Sequence, residues 1–324
     1  MSSSEAKANA SPRIVVPLDE SARAEIALEL ATTIARRRGA RLDLVTVPLL
    51  HQVELEQRMH HVEFPEQPPT LPSAEELVRM SQAEAAQYLS EVEQRLSAQG
   101  IGATAHLVDR APAEAIVATA EAVDAELIVM ATHGRGGMSR WALGSVADKV
   151  LQTARRPILL VRQPTAWGEA GPRTIAVALD GSGLAERVLP QAEAMARSFG
   201  ADITLVRIVV QYESEQVRMR WDGQERDSED LRESWARQYL DRQAAALRER
   251  GFAVTTEVLP AENVAEALLE IDQRDAVGLL AMTTHGLGGL RRWAFGSVAD
   301  RVLRSAETPV LLVRCTQDGA EDLL

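Results

Sequence analysis

The chain has 324 residues, of which 46% are hydrophobic and 25% charged, with a formal net charge of −12. That length suffices for two domains of ordinary size, each with its own core. The acidic balance argues against a general nucleic-acid binder, and no apolar run is long enough to cross a bilayer, so neither nucleic acid nor membrane is an expected partner.

From the start of the chain, Met1 to Ser11 is small and polar and lacks the apolar core of a secretory signal. A disordered tail over residues 1–12 and a cytoplasmic location are expected. The lone cysteine, Cys315, leaves no intramolecular disulfide and fits a reducing compartment. Only two lysines occur, Lys7 and Lys149, and neither follows a glycine. The Gly-Lys-Ser/Thr of a Walker-type phosphate loop is therefore absent.

Short Val/Ile/Leu runs predict strands near 13–18, 41–47, 102–108, 126–131 and 157–162. A second series falls near 174–179, 202–209, 252–259, 278–283 and 309–314. Such unbroken apolar runs suit strands covered on both faces. Helices are predicted between them, near 21–38, 74–99, 112–123 and 145–155, and again near 183–199, 228–250, 261–273 and 297–307. Gly39 and Gly200 close the first helix of each series as C-caps. The alternation of strand and helix predicts an open parallel sheet with helices on both faces. Pro164, Gly168, Gly171 and Pro172 mark a linker over 164–172. It divides a domain at 13–163 from one at 173–315, which is followed by a tail at 316–324. The segments His51–Ser73, with Pro65, Pro68, Pro69 and Pro72, and Tyr212–Asp227, with Trp221, are read as loops.

The two series are copies of one unit. Arg13-Ile14-Val15-Val16-Pro17-Leu18-Asp19-Glu20-Ser21 matches Thr174-Ile175-Ala176-Val177-Ala178-Leu179-Asp180-Gly181-Ser182, 161 residues on. Ala131-Thr132-His133-Gly134-Arg135-Gly136-Gly137, Trp141 and Gly144-Ser145 return 152 residues later as Thr283-Thr284-His285-Gly286-Leu287-Gly288-Gly289, Trp293 and Gly296-Ser297. In each copy an apolar strand runs into a glycine-rich loop and then a helix start, the arrangement of an anion cradle.

Asp-x-Ser after the first strand, the glycine loop after the fourth and a closing Pro-(Ile/Val)-Leu-Leu-Val-Arg strand resemble the universal stress protein family. Gly134, nine residues, then Gly144-Ser145 is similar to the nucleotide signature Gly-x2-Gly-x9-Gly-Ser/Thr of its ATP-binding branch, as is Gly286 with Gly296-Ser297. The resemblance implies two tandem Rossmann-like domains of the adenine nucleotide alpha hydrolase-like kind. Each would be a five-stranded parallel sheet of order 3-2-1-4-5 with helices on both faces. It implies ATP, or AMP or ADP, with magnesium accompanying the nucleotide, over the ends of strands 1 and 4. Carried over residue by residue, the first site comprises Pro17, Leu18, Asp19, Val47, Met130, Ala131, Gly134, Arg135, Gly144, Ser145 and Val146. The second comprises Ala178, Leu179, Asp180, Ile208, Met282, Thr283, Gly286, Gly296, Ser297 and Val298. Asp19 and Asp180 would contact adenine or ribose, and Val47 and Ile208 would line the adenine pocket. The family's dimers pair through the last strand, so Pro157–Arg162 and Pro309–Arg314 imply an internal pseudo-dimer, with a further homodimer left open.

The copies depart from the signature at its first glycine, which is Ala131 in one and the bulkier Thr283 in the other. Arg135, Arg140, Arg291 and Arg292 can offset phosphate charge. Each feature taken alone has a simpler account: a capping box in Ser145-x-x-Asp148 and Ser297-x-x-Asp300, a turn at Asp19, a tight connection at the glycines. Their conjunction, twice, favours nucleotide binding in a stress-response role. A nucleotide-independent protein-interaction module and a slow ATPase or phosphotransferase acting through Ser145 or His133 remain as alternatives. Ser145 lacks a Gly-x-Ser-x-Gly setting, which weighs against a triad with His133. His51, His60 and His61 match no zinc spacing, and Trp141 and Trp293 are read as packing anchors.

Overall fold

The computed structural model describes residues 11–48, 73–132, 143–165, 167–211, 218–221, 224–284 and 296–314. The chain forms two compact units, Met1–Arg156 and Pro157–Leu324.

The first unit runs β1 (Arg13–Pro17), α1 (Ala22–Arg38), β2 (Arg41–Thr46), α2 (Ala74–Ala98), β3 (Ala103–Leu107), α3 (Pro112–Ala122), β4 (Leu127–Ala131) and α4 (Ser145–Thr153). Its strands lie in the order β3-β2-β1-β4, all parallel. Ile14, Val15 and Val16 of β1 and Ile128 and Val129 of β4 are fully buried, as unbroken apolar strands require when helices cover both faces.

The second unit contains β5 (Ile158–Val161), β6 (Thr174–Ala178), a 3₁₀ turn (Ala185–Val188), α5 (Leu189–Phe199), β7 (Asp202–Val210), β8 (Arg218–Trp221) and β9 (Gln224–Asp227). It continues with α6 (Ser228–Glu249), β10 (Val254–Ala261), α7 (Val264–Asp272), β11 (Val277–Thr283), α8 (Ser297–Ser305) and β12 (Val310–Val313). The order β10-β7-β6-β11-β12 is the 3-2-1-4-5 arrangement of a doubly wound sheet. The last strand of the first repeat, β5, groups with this unit and pairs antiparallel with β12, Leu159 opposite Leu311.

The helix ends show why the local sequence folds as it does. Gly39 and Gly200 adopt left-handed φ of 62° and 65°, and their N–H groups donate to Ala35 O and Ala196 O. The helix expected near 183–199 instead opens as a 3₁₀ turn and becomes α only at Leu189. Pro190, at the front of α5, has no N–H to bond back into a longer α-helix, so it sits in the first turn instead. β10 runs to Ala261, beyond the strand limit expected, because β10 lies at the sheet edge, where Pro260 is tolerated. α7 then starts after the cap residue Asn263, whose side chain accepts from Ala265 and Glu266 N–H groups. The segment Tyr212–Asp227, read as a loop, carries the antiparallel pair β8–β9.

The segment joining the repeats is anchored by Trp167. This residue is buried, its indole N–H donates to Gly278 O at 2.6 Å, and its ring meets Phe199 edge-on at 5.5 Å. Gly278 is required there, since a Cβ would stand 2.8 Å from Pro172.

Candidate functional site

The site begins at the turn after the first strand of each unit. Asp19 Oδ1 accepts from the Ser21 N–H at 3.1 Å and the Ser21 hydroxyl at 2.5 Å. Ser21 Oγ in turn accepts from Ala24 N–H at 3.1 Å and caps α1. Asp180, Ser182 and Ala185 repeat this relay at 2.9, 2.6 and 3.1 Å. The turn reading of Asp19 is thus correct, and the same contacts fix the carboxylate at the carboxyl end of its strand.

The residue between them has opposite chemistry in the two copies. Glu20 holds φ of 62°, a left-handed conformation strained for a side chain, whereas its counterpart Gly181 holds φ of 89°. Glu20→Gly is expected to raise stability by about 0.5–1 kcal/mol and Gly181→Ala to lower it by about 1–2 kcal/mol, measured by urea unfolding.

The second wall comes from the fourth strand. β4 lies beside β1, with Ile14 opposite Leu127, and β11 beside β6, so both strand ends emerge at the same edge of their sheet. Thr132 O accepts from the Gly144 N–H at 2.8 Å, and Thr284 O from the Gly296 N–H at 2.9 Å. Those bonds clip the strand end to the helix start and close the glycine loop at its base. Gly144 and Gly296 are the N-caps of α4 and α8, extended at φ −63° and −67°, and among the described residues no side chain caps either helix. The capping boxes expected of Ser145-x-x-Asp148 and Ser297-x-x-Asp300 are therefore absent. The helices start one residue earlier than such a box requires, so each serine is the first helical residue and lies exposed. Each helix therefore presents first-turn N–H groups and its positive dipole end to the strand ends without a side-chain cap, a setting suited to an oxyanion.

Most other expected contacts fall at these strand ends. Leu18, Val47, Met130, Leu179, Met282 and Thr283 are buried, while Pro17, Ala131, Val146, Ala178, Ile208 and Val298 are half-buried. Thr283 closes β11 opposite Val313 and is 7% exposed, so its branched side chain is accommodated within the fold. Gly134, Arg135 and Gly286, together with His133, His285, Trp141, Trp293, Arg140, Arg291 and Arg292, lie outside the described residues. So do His51, His60 and His61. Among the described residues no group of three or more His, Cys, Asp or Glu side chains gathers as a metal site, and no helix is long and apolar enough to cross a membrane.

Sequence reasoning missed a buttress behind each Asp turn. Tyr88 of α2 donates to Glu25 Oε1 at 2.7 Å, and Arg95 pairs with the same carboxylate at 2.9 and 3.0 Å. Burial, then the bond to Glu25, pushes the Tyr88 phenol above its ordinary range. In the second unit burial, then the charge of Glu186, does the same to Tyr239, and Gln243 donates to Glu186 at 2.9 Å. Both phenols stay protonated, but only Tyr88 has a partner to donate to: among the described residues the buried Tyr239 hydroxyl makes no hydrogen bond. The repeat spacing was the signal that pairs these residues, since Tyr88 and Tyr239 stand 151 residues apart, as Gly100 and Gly251 do.

The family model described as "Universal stress protein family" matches residues 11–162 and again 172–314. The chain belongs to the universal stress protein family. A universal stress protein of Mycolicibacterium smegmatis is 25% identical over 191 residues, covering 59% of this chain and 62% of that protein. One of Methanocaldococcus jannaschii is 38% identical over 76 residues, or 24% of this chain and 45% of that protein. The chain thus spans less than two thirds of the length of each of these relatives. A universal stress protein structure from Archaeoglobus fulgidus, at 18% identity, covers 93% of this chain and 98% of its own with a TM-score of 0.65. That likeness is one of fold.

Proposed function

We propose that this universal stress protein binds ATP or a related adenine nucleotide, AMP or ADP, in each unit as part of a stress response. The observation that carries the reading is the meeting of the Asp-x-Ser turn with an uncapped, glycine-led helix N-terminus at adjacent parallel strand ends, built twice. Ligands of doubly wound sheets sit at such an edge, beside the point where strand order reverses. The fit is favourable: the glycine cap lets a phosphate approach the backbone, and the first-turn N–H groups of α4 and α8 would hold it. Asp19 and Asp180, fixed by their serines, would hold ribose or adenine hydrogen-bond donors, against Val47 in the first unit and Ile208 in the second. Gly134, Arg135 and Gly286 would complete the phosphate loop, and magnesium would accompany the phosphates. The antiparallel β5–β12 pairing supports an internal pairing of the two repeats through their last strands.

The test is to denature the purified protein and identify the released small molecules by mass spectrometry. An adenine nucleotide is expected in stoichiometric or near-stoichiometric amount, or its uptake from added ATP. A protein that releases none and takes up none contradicts the proposal.

A further inference from the structure

The two copies exchange residues beside the Asp turn. Leu18 N–H donates to Val45 O at 2.8 Å and Leu179 N–H to Val206 O at 2.9 Å, so Thr46 and Arg207 occupy equivalent places one residue on. In the first unit Thr46 is buried and its hydroxyl donates to Leu18 O at 2.9 Å, a neutral tie between strand ends. In the second unit the Arg207 guanidinium stacks 5.2 Å from the Tyr239 ring centroid. The same guanidinium lies against Gly181, where a Cβ would stand 2.7–2.9 Å from three of its atoms. The glycine is thus a cradle that any side chain would fill. Where the first unit sets Glu20 after Asp19, the second has Gly181 after Asp180 and sets the Arg207 guanidinium against that turn residue. The Arg207–Tyr239 stack holds the fork in one place, which limits the side-chain entropy lost when it engages a ligand.

We propose that Arg207 is a specificity-determining residue that makes the second site select an adenine nucleotide carrying an extra phosphate on its ribose. The inference rests on the nucleotide reading above. An acidic residue at the end of a sheet strand suits free ribose hydroxyls, while an arginine in that neighbourhood suits a ribose phosphate. The first site, with Asp19 and Glu20 together, repels such a group. The two sites therefore hold different ligands: plain adenine nucleotide in the first and ribose-phosphorylated nucleotide in the second.

The test uses the full chain carrying Gly144→Ala, expected to weaken binding at the first site, and compares AMP with adenosine 2′,5′- and 3′,5′-bisphosphate by calorimetry. One of the bisphosphates is expected to bind at least about tenfold tighter than AMP, the size of one charge-assisted hydrogen bond. Arg207→Met should abolish that preference while leaving AMP affinity within about twofold. Arg207→Lys should retain part of it. Thermal unfolding of each variant shows whether it is folded. If Arg207→Met does not fold, Arg207→Lys combined with the salt dependence of the bisphosphate preference decides the matter. Equal affinity for AMP and both bisphosphates, or a preference that survives loss of the charge, overturns the proposal while the nucleotide reading stands. Failure of AMP, ATP and both bisphosphates to bind the unmodified chain overturns both.

Discussion

Replacing Asp43 by alanine is expected to lower the stability of the first unit by about 3 kcal/mol, the scale of breaking a buried charge pair. Asp43 is completely buried in β2, yet it carries a carboxylate. Two neighbours compensate it: Arg13 of β1 donates through Nε at 2.8 Å and through its terminal nitrogen at 2.5 Å, and His106 Nε2 of β3 lies at 2.7 Å. These contacts span β1, β2 and β3, so one side chain ties the edge strand β3 to the middle of the sheet. The Arg13 guanidinium is held above its ordinary pKa by the bond to Asp43, so Arg13 stays charged throughout the accessible pH range. Because Arg13 and His106 retain some exposure, alanine at 43 leaves them partly hydrated, which keeps the loss near the lower end of the range for buried pairs. Urea unfolding followed by circular dichroism gives the number. The second unit has Thr204 and Thr255 sharing a hydrogen bond of 2.9 Å at the corresponding strands, so its stability should be unaffected.

The second large effect concerns binding rather than folding. Gly144 and Gly296 adopt extended backbone that any residue can take. Among the described residues a Cβ at Gly296 would reach only Thr284 O at 3.4 Å, an ordinary contact. The fold therefore tolerates alanine at this position. If the glycine exists so that a phosphate can approach the helix N-terminus, a methyl group displaces that phosphate and forfeits charge-assisted bonds to backbone N–H groups. Gly296→Ala is expected to weaken nucleotide binding at the second site by at least about tenfold, with unfolding shifted by less than about 0.5 kcal/mol. Gly144→Ala should do the same at the first site. Loss of stability together with binding would instead assign the glycines to packing.

Much of the fold was legible in the sequence because its strands are buried on both sides and read as unbroken apolar runs, and because each signal occurs twice. The C-cap glycines 39 and 200 behave as their chemistry dictates. The failures have local causes. Ser145 and Ser297 look like caps, but the clip from Gly144 and Gly296 to the strand ends starts each helix one residue earlier and frees the serines from that role. β10 outruns the strand expected near 252–259 because Pro260, at the sheet edge, costs no ladder bond. The Asp turns were visible; the tyrosine and glutamate behind them, and Arg207 beside the second, were not. Those residues meet only through tertiary packing, and nothing in a helix or strand pattern marks which polar side chain will turn inward.

Both strand-end sites are proposed to hold an adenine nucleotide, and that proposal joins the observations above. Calorimetric titration of ATP into the full chain tests it most directly. Saturable binding is expected, which Gly144→Ala and Gly296→Ala each weaken at a separate site by at least about tenfold with both variants still folded. An absence of binding at millimolar ATP, or an affinity unchanged by both substitutions together, would contradict it.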